Sequence, residues 1–169
     1  MTMSMYNASV PLFKTLLGAL SNVLDKGQQF AKAKGIDESV LVNARLSPDM
    51  FPLARQVQQA TAHALAPGRI AGAELPKFTD TGASIAELKQ RIATTVDFLK
   101  SIKPAQVDGK EDTEVTVQLG PNTRQFKAWV LLYHHAMPNF YFHTTTTYDL
   151  LRHYGVELGK RDFMGQVPS

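Results

Sequence analysis

Cysteine is absent from all 169 residues, which removes disulfide frameworks, thiolate zinc sites, thiol nucleophiles and iron–sulfur clusters together. Any metal must then be held through nitrogen and oxygen. A Gly-x-Ser-x-Gly elbow is missing, so serine catalysis of the hydrolase kind finds no support. Gly159-Lys160 lacks the upstream glycine of a phosphate loop and follows no strand. Long apolar runs are missing too: residues 1–24 are interrupted by Asn7, Ser9, Lys14, Ser21 and Asn22, and no basic segment precedes them. That reads as neither a signal peptide nor a membrane span, and the expected location is the cytoplasm. Charge of one sign is not concentrated either. The net charge is +3, but Lys and Arg are scattered among acidic residues without a stripe, so no nucleic-acid partner is expected.

What is present is the balance of one globular domain over residues 1–169, with 44% hydrophobic and 20% charged residues. Val10, Phe13, Leu17, Leu20 and Leu24 step by three and four, which predicts a first helix from Ser4 to Lys34 stopped by Gly35. Ser47-Pro48-Asp49 reads as the start of a second helix, with Met50, Leu53, Val57, Ala60 and Ala64 inward and Pro67-Gly68 as its end. Ser84 and Glu87 form a capping box ahead of Ile85, Leu88, Ile92, Val96 and Leu99, and Pro104 closes that third helix. The period then falls to two: Val115, Val117 and Leu119 alternate with polar residues, residues 120–123 turn, and Arg124 to Trp129 returns as a second strand. A fourth helix carries His143, Thr147, Tyr148, Leu151 and Tyr154 and ends at Gly155. The order predicts a mainly α protein, an up-and-down four-helix bundle with a short β-hairpin between helices three and four.

Bundles build sites from polar side chains on facing helices, which directs attention to residues 133–143. His135, Asn139 and His143 step by four and share a face if the helix is continuous, a spacing that presents several ligands to one ion. Pro138 between them is a reason for a kink. The plainer reading makes His143 a buried, hydrogen-bonded core histidine and leaves His134 and His135 partly exposed. Asp49 has two readings as well: a helix-start carboxylate stabilised by free amides, or a ligand or orienting acid that meets His143 across the bundle end. Lys160 and Arg161 read as surface charges or as an anion clamp.

The run Pro138-Asn139-Phe140-Tyr141-Phe142-His143, four threonines, then Tyr148-Asp149-Leu150-Leu151-Arg152-His153-Tyr154-Gly155 resembles the DinB-like four-helix bundles. Within them the chain looks most like a bacterial family of unknown function, which shares Ser47 to Val57 and the closing Gly159-Lys160-Arg161-Asp162-Phe163. The resemblance implies a divalent metal held by three histidines, one from the second helix and two spaced by four on the last, and in some members a thiol-dependent transferase activity. On that pattern His143 matches the second of the paired histidines, Asn139 stands in place of the first, and Asp49 lies near the remaining ligand, with His63 too far along. The expectation is an altered metal site of His143, Asp49 and Asn139 holding manganese, zinc or nickel, in a metal-dependent hydrolase or transferase with His143 and Asp49 as its catalytic pair. Asn139, Tyr148 and His135 would line it. The competing expectation is a non-catalytic protein, a small-ligand binder or a homodimeric scaffold.

Overall fold

A computed structural model gives the fold and describes residues 3–166. The first helix, α1 (Met5–Lys34), begins where Ser4 Oγ accepts the amide of Asn7 at 3.2 Å. It stops at Gly35, whose φ of +64° lets its own amide and that of Ile36 turn back onto the carbonyls of Lys32 and Ala31. A short α2 (Glu38–Val42) follows, and then α3 (Leu53–Ala64).

The start of α3 corrects the expectation from Ser47-Pro48-Asp49. Those residues form a turn closed by the Met50 amide on the Ser47 carbonyl at 2.9 Å. Pro52 is the reason: the residue before a proline is pushed out of the helical region, so no helix started at residue 48 passes through Phe51. The end is corrected as well. Pro67-Gly68 does not terminate the helix but lies within α4 (Ala66–Ala71), where the proline occupies the first turn and needs no donor. Gly68 is required by packing, since a Cβ there would lie 2.4 Å from the Phe98 ring.

The third long helix, α5 (Ile85–Ser101), starts at Ser84, whose Oγ accepts the Glu87 amide at 3.2 Å. Glu87 instead spends its carboxylate on the amides of Thr81, Gly82 and Ala83 in the preceding loop. Strands β1 (Glu114–Leu119) and β2 (Asn122–Lys127) pair antiparallel with Val115 opposite Phe126 and Val117 opposite Arg124. The turn is only Gly120-Pro121, so the return strand begins earlier than expected; Gly120 has φ +59°, which suits a two-residue hairpin turn. Val115 and Val117 are buried against the bundle, the support a lone hairpin needs.

The last helical stretch begins earlier than the sequence suggests. It runs through α6 (Ala128–Val130), a π-helical segment at Leu131–Ala136, and α7 (Met137–His153). Pro138 in a plain α-helix removes a donor and presses on the carbonyl four residues back. The wider π turn takes up that misfit immediately upstream, and the helix continues. A final short α8 (Lys160–Met164) lies on α1. The core is shared among the long helices, with α3 packed along α7 and α1 along α5. No helix among the described residues is long and apolar enough to cross a membrane.

Candidate functional site

On α3, Gln56, Gln59 and His63 follow helical steps of three and four, and so share one face of a helix that packs on α7, with Gln59 and His63 facing the hairpin across a cavity. Gln56 is 1% exposed and His143 on α7 is 7% exposed. They meet between His143 Nδ1 and Gln56 Oε1 at 2.7 Å. The roles follow from the far end of the amide, which donates from Nε2 to the Phe51 carbonyl at 3.0 Å. A carbonyl only accepts, so Gln56 must present its oxygen to the ring and His143 must carry its proton on Nδ1. Nε2 is therefore the bare lone-pair nitrogen. It makes no hydrogen bond, yet no buried side-chain nitrogen or oxygen among the described residues lacks a partner, so Nε2 reaches accessible space. Burial pushes the His143 pKa down to about 4, with the charge of Arg55 adding to it. The ring is neutral at neutral pH.

His63 stands beside it. Its ring centroid lies 5.8 Å from that of His143 and 5.2 Å from that of His135, which the π segment carries. Its pKa is lowered to about 4, first by burial and then by the charges of His135, His143 and Arg69. His135 is also lowered, by burial and by Arg124, and its ring stacks on Phe126 of β2 at 5.3 Å. A cavity of about 230 Å³ opens beside His63 and His135, bounded by Gln59 and Arg69 and roofed by the hairpin at residues 117–120.

These positions decide how well the three-histidine centre implied by the resemblance fits. The donor type is right, since all three imidazoles are neutral and none is spent on a carboxylate. The spacing is not. His135 and His143 belong to one helical stretch and are eight residues apart, roughly 12 Å of rise at the α-helical value, so they flank His63 as a ladder rather than converge. No group of three or more His, Cys, Asp or Glu among the described residues is disposed to hold a metal ion. A three-histidine centre does not fit; at most His63 with one neighbour is close to the roughly 5 Å ring separation of two imidazoles on one tetrahedral ion.

The remaining expected site residues scatter. Asp49 is exposed on the turn before α3, where it accepts from Ser47 Oγ at 2.6 Å, and that bond holds its carboxyl below the usual range. It makes no hydrogen bond to His143. Asn139 lies between the two histidines of its helix but gives its Nδ2 to the His135 carbonyl at 2.7 Å. Tyr148 turns to the edge of Phe163 at 6.1 Å, toward α8. Two residues were missed. His63, set aside as too far along the second helix, is the middle ring of the cluster, and Gln56 is the partner that orients His143. The signal in the sequence is the step Gln56, Gln59, His63, a polar line on the otherwise apolar inner face of α3.

The comparisons agree with this architecture. The family model described as a domain of unknown function, DUF1993, matches residues 5–164. A crystal structure of a DinB family member from Shewanella denitrificans superposes with a TM-score of 0.87 at 37% identity, covering 97% of this chain and 93% of that one. No curated protein matches the chain.

Proposed function

This chain belongs to the DUF1993 family, and on that premise we propose that it is a DinB-like bundle whose metal centre is altered into a small-ligand pocket, with His63 and His135 lining it and His143 next to His63 at its inner end. The bond between His143 Nδ1 and Gln56 Oε1 at 2.7 Å carries the reading. A histidine that merely fills a core needs both nitrogens satisfied, whereas here one is locked by a buried amide and the other is left bare toward accessible space. A neutral Nε2 so held accepts a hydrogen bond from a ligand hydroxyl, amine or thiol. Its pKa of about 4 makes it a weak base, which favours holding a ligand proton over abstracting one.

The ring separations of 5.2 and 5.8 Å support a second reading, in which zinc, nickel or manganese is shared by His63 and one neighbour. Such an ion supplies Lewis acidity for a hydrolase or transferase. Two imidazoles without a carboxylate make that a weak site.

Elemental analysis of protein purified without chelator, beside His63→Ala and His143→Ala, separates the two. The pocket reading expects metal far below one equivalent in all three proteins, even after soaking with zinc or manganese. It also expects nitrogen NMR to find His143 protonated on Nδ1 across neutral pH. Near-stoichiometric metal in the wild type that is lost in His63→Ala would overturn it in favour of the two-imidazole site, and its loss or retention in His143→Ala would say which neighbour is the second ligand.

A further inference from the structure

Each imidazole of the cluster has a guanidinium near enough for its charge to act on the ring: Arg69 on His63, Arg124 on His135 and Arg55 on His143. No carboxylate acts on any of the three in the same way. Arg55 and Arg124 are exposed and lean on Phe51 and Phe126, at 5.6 and 5.8 Å. Arg69 differs from both. It is half-buried on α4 and borders the 230 Å³ cavity, and among the described residues its side chain has no ion pair and no hydrogen bond. Glu114 shares with it the neighbouring cleft, which also contains Lys110, but does not pair with it.

Arg91 shows how this fold treats a comparably buried guanidinium. It is held by Asp80 at 2.6 Å, by Thr61 at 2.6 Å and by the face of Phe78 at 3.8 Å. Removing such a group from water without a partner is costly, so a half-buried arginine is normally compensated. Arg69 has no such partner: its donors stay open to accessible space, since no buried side-chain nitrogen among the described residues lacks a partner, and they border a cavity that no acidic residue lines among the described ones.

We infer that the cavity between α3, α4 and the hairpin is an oxyanion site, in which Arg69 grips the carboxylate or phosphate of a small molecule through its paired N–H donors, with Gln59 and His63 alongside. The planar fork of a guanidinium matches both groups. A space of about 230 Å³ is below the usual range for a whole drug-sized ligand, so it takes a small anion or the charged head of a larger one. The inference rests on the pocket reading of the histidine cluster and names the ligand class for it.

The test is calorimetric titration of the full chain with inorganic phosphate, pyrophosphate, oxalate and succinate, first after chelator dialysis and then with zinc added. Metal-free wild type is expected to bind at least one of them, the phosphates and dicarboxylates deciding which source the site prefers. Arg69→Gln should weaken that binding by about tenfold or more, and Arg69→Lys should recover only part of it. Arg69→Gln should melt no lower than wild type, because no native partner is lost, and this separates lost binding from lost folding. Equal affinity in wild type and Arg69→Gln overturns the inference, as does no binding of any oxyanion. Binding that appears only with zinc and ignores Arg69 overturns both the inference and the pocket reading, whereas metal-free binding insensitive to Arg69 spares the pocket and removes only the anion anchor.

Discussion

The inner faces of α1 and α7 are built on different principles. Among the buried residues of α1, from Met5 to Ala31, Ser9 alone carries a polar side chain. On α7 the buried set is Phe140, His143, Thr144, Thr146, Thr147, Leu150 and Leu151, in which polar residues are the majority. The threonines do not make a polar core out of this. Thr144, Thr146 and Thr147 each return their hydroxyl to the carbonyl four residues back, at 2.8, 2.7 and 2.9 Å, so each is satisfied within its own helix. His143 alone reaches across, to Gln56 on α3. Buried polarity therefore falls into two kinds, one closed on itself and one that couples helices and leaves a nitrogen open. Only the second kind leaves a group free to meet a ligand.

The widest separation between the two faces should appear with pH. His63 and His143 have folded pKa values of about 4, below the ordinary value of 6.5 that each regains on unfolding. Between those limits the unfolded chain binds more protons, so stability is full above about pH 6.5 and falls as the pH drops toward 4. Each histidine contributes on the order of 2 to 3 kcal/mol over that window. Urea unfolding from pH 7.5 to 4.5 measures it, and a double His63→Gln, His143→Gln variant should flatten the slope. An unchanged slope would mean that carboxylates elsewhere set the acid limit and that the cluster is better solvated than its packing implies.

A smaller effect isolates the cross-helix bond. Gln56→Ala strips His143 Nδ1 of its acceptor and the Phe51 carbonyl of its side-chain donor, which should cost about 1 to 3 kcal/mol. The expected signature is loss of the fixed tautomer, seen as mixed Nδ1 and Nε2 protonation by nitrogen NMR. Retention of a single tautomer in Gln56→Ala would show that burial alone orients the ring.

The fold was legible from apolar period and caps wherever one signal acted at a time. Val10 to Leu24 sit on one stripe, Ser4 and Gly35 bound it, and Ser84 opens α5 as read. Legibility failed where prolines compete. Ser47-Pro48 resembles a helix start, but Pro52 four residues on overrides it; Pro67 resembles a stop but sits where a new first turn needs no donor; Pro138 resembles a kink but is absorbed by a π turn. The site inherited these errors. A helix opened by Ser47-Pro48 puts the Asp49 carboxylate at the bundle end and leaves His63 too far along, and the ladder of His135, His63 and His143 depends on a π segment that no local spacing rule announces. His143 was legible because its neighbours are apolar or self-satisfied threonines, so one imidazole stood out.

The smallest expected effect tests whether those threonines are as inert as their bonds suggest. Thr147 is fully buried one turn beyond His143 and gives its hydroxyl to the His143 carbonyl, an oxygen placed to accept the helix amide of the same residue as well. Thr147→Val removes the hydroxyl and keeps the branched shape, so no acceptor is left bare and no cavity opens. The cost should stay below about 1 kcal/mol, smaller than that of Gln56→Ala, with the His143 tautomer unchanged. Denaturant midpoints for the two variants, read beside the same nitrogen spectra, make the comparison. A loss equal to that of Gln56→Ala would mean that the hydroxyl helps to hold the His143 backbone in place, and the division between closed and coupling polarity on α7 would have to be redrawn one turn further along the helix.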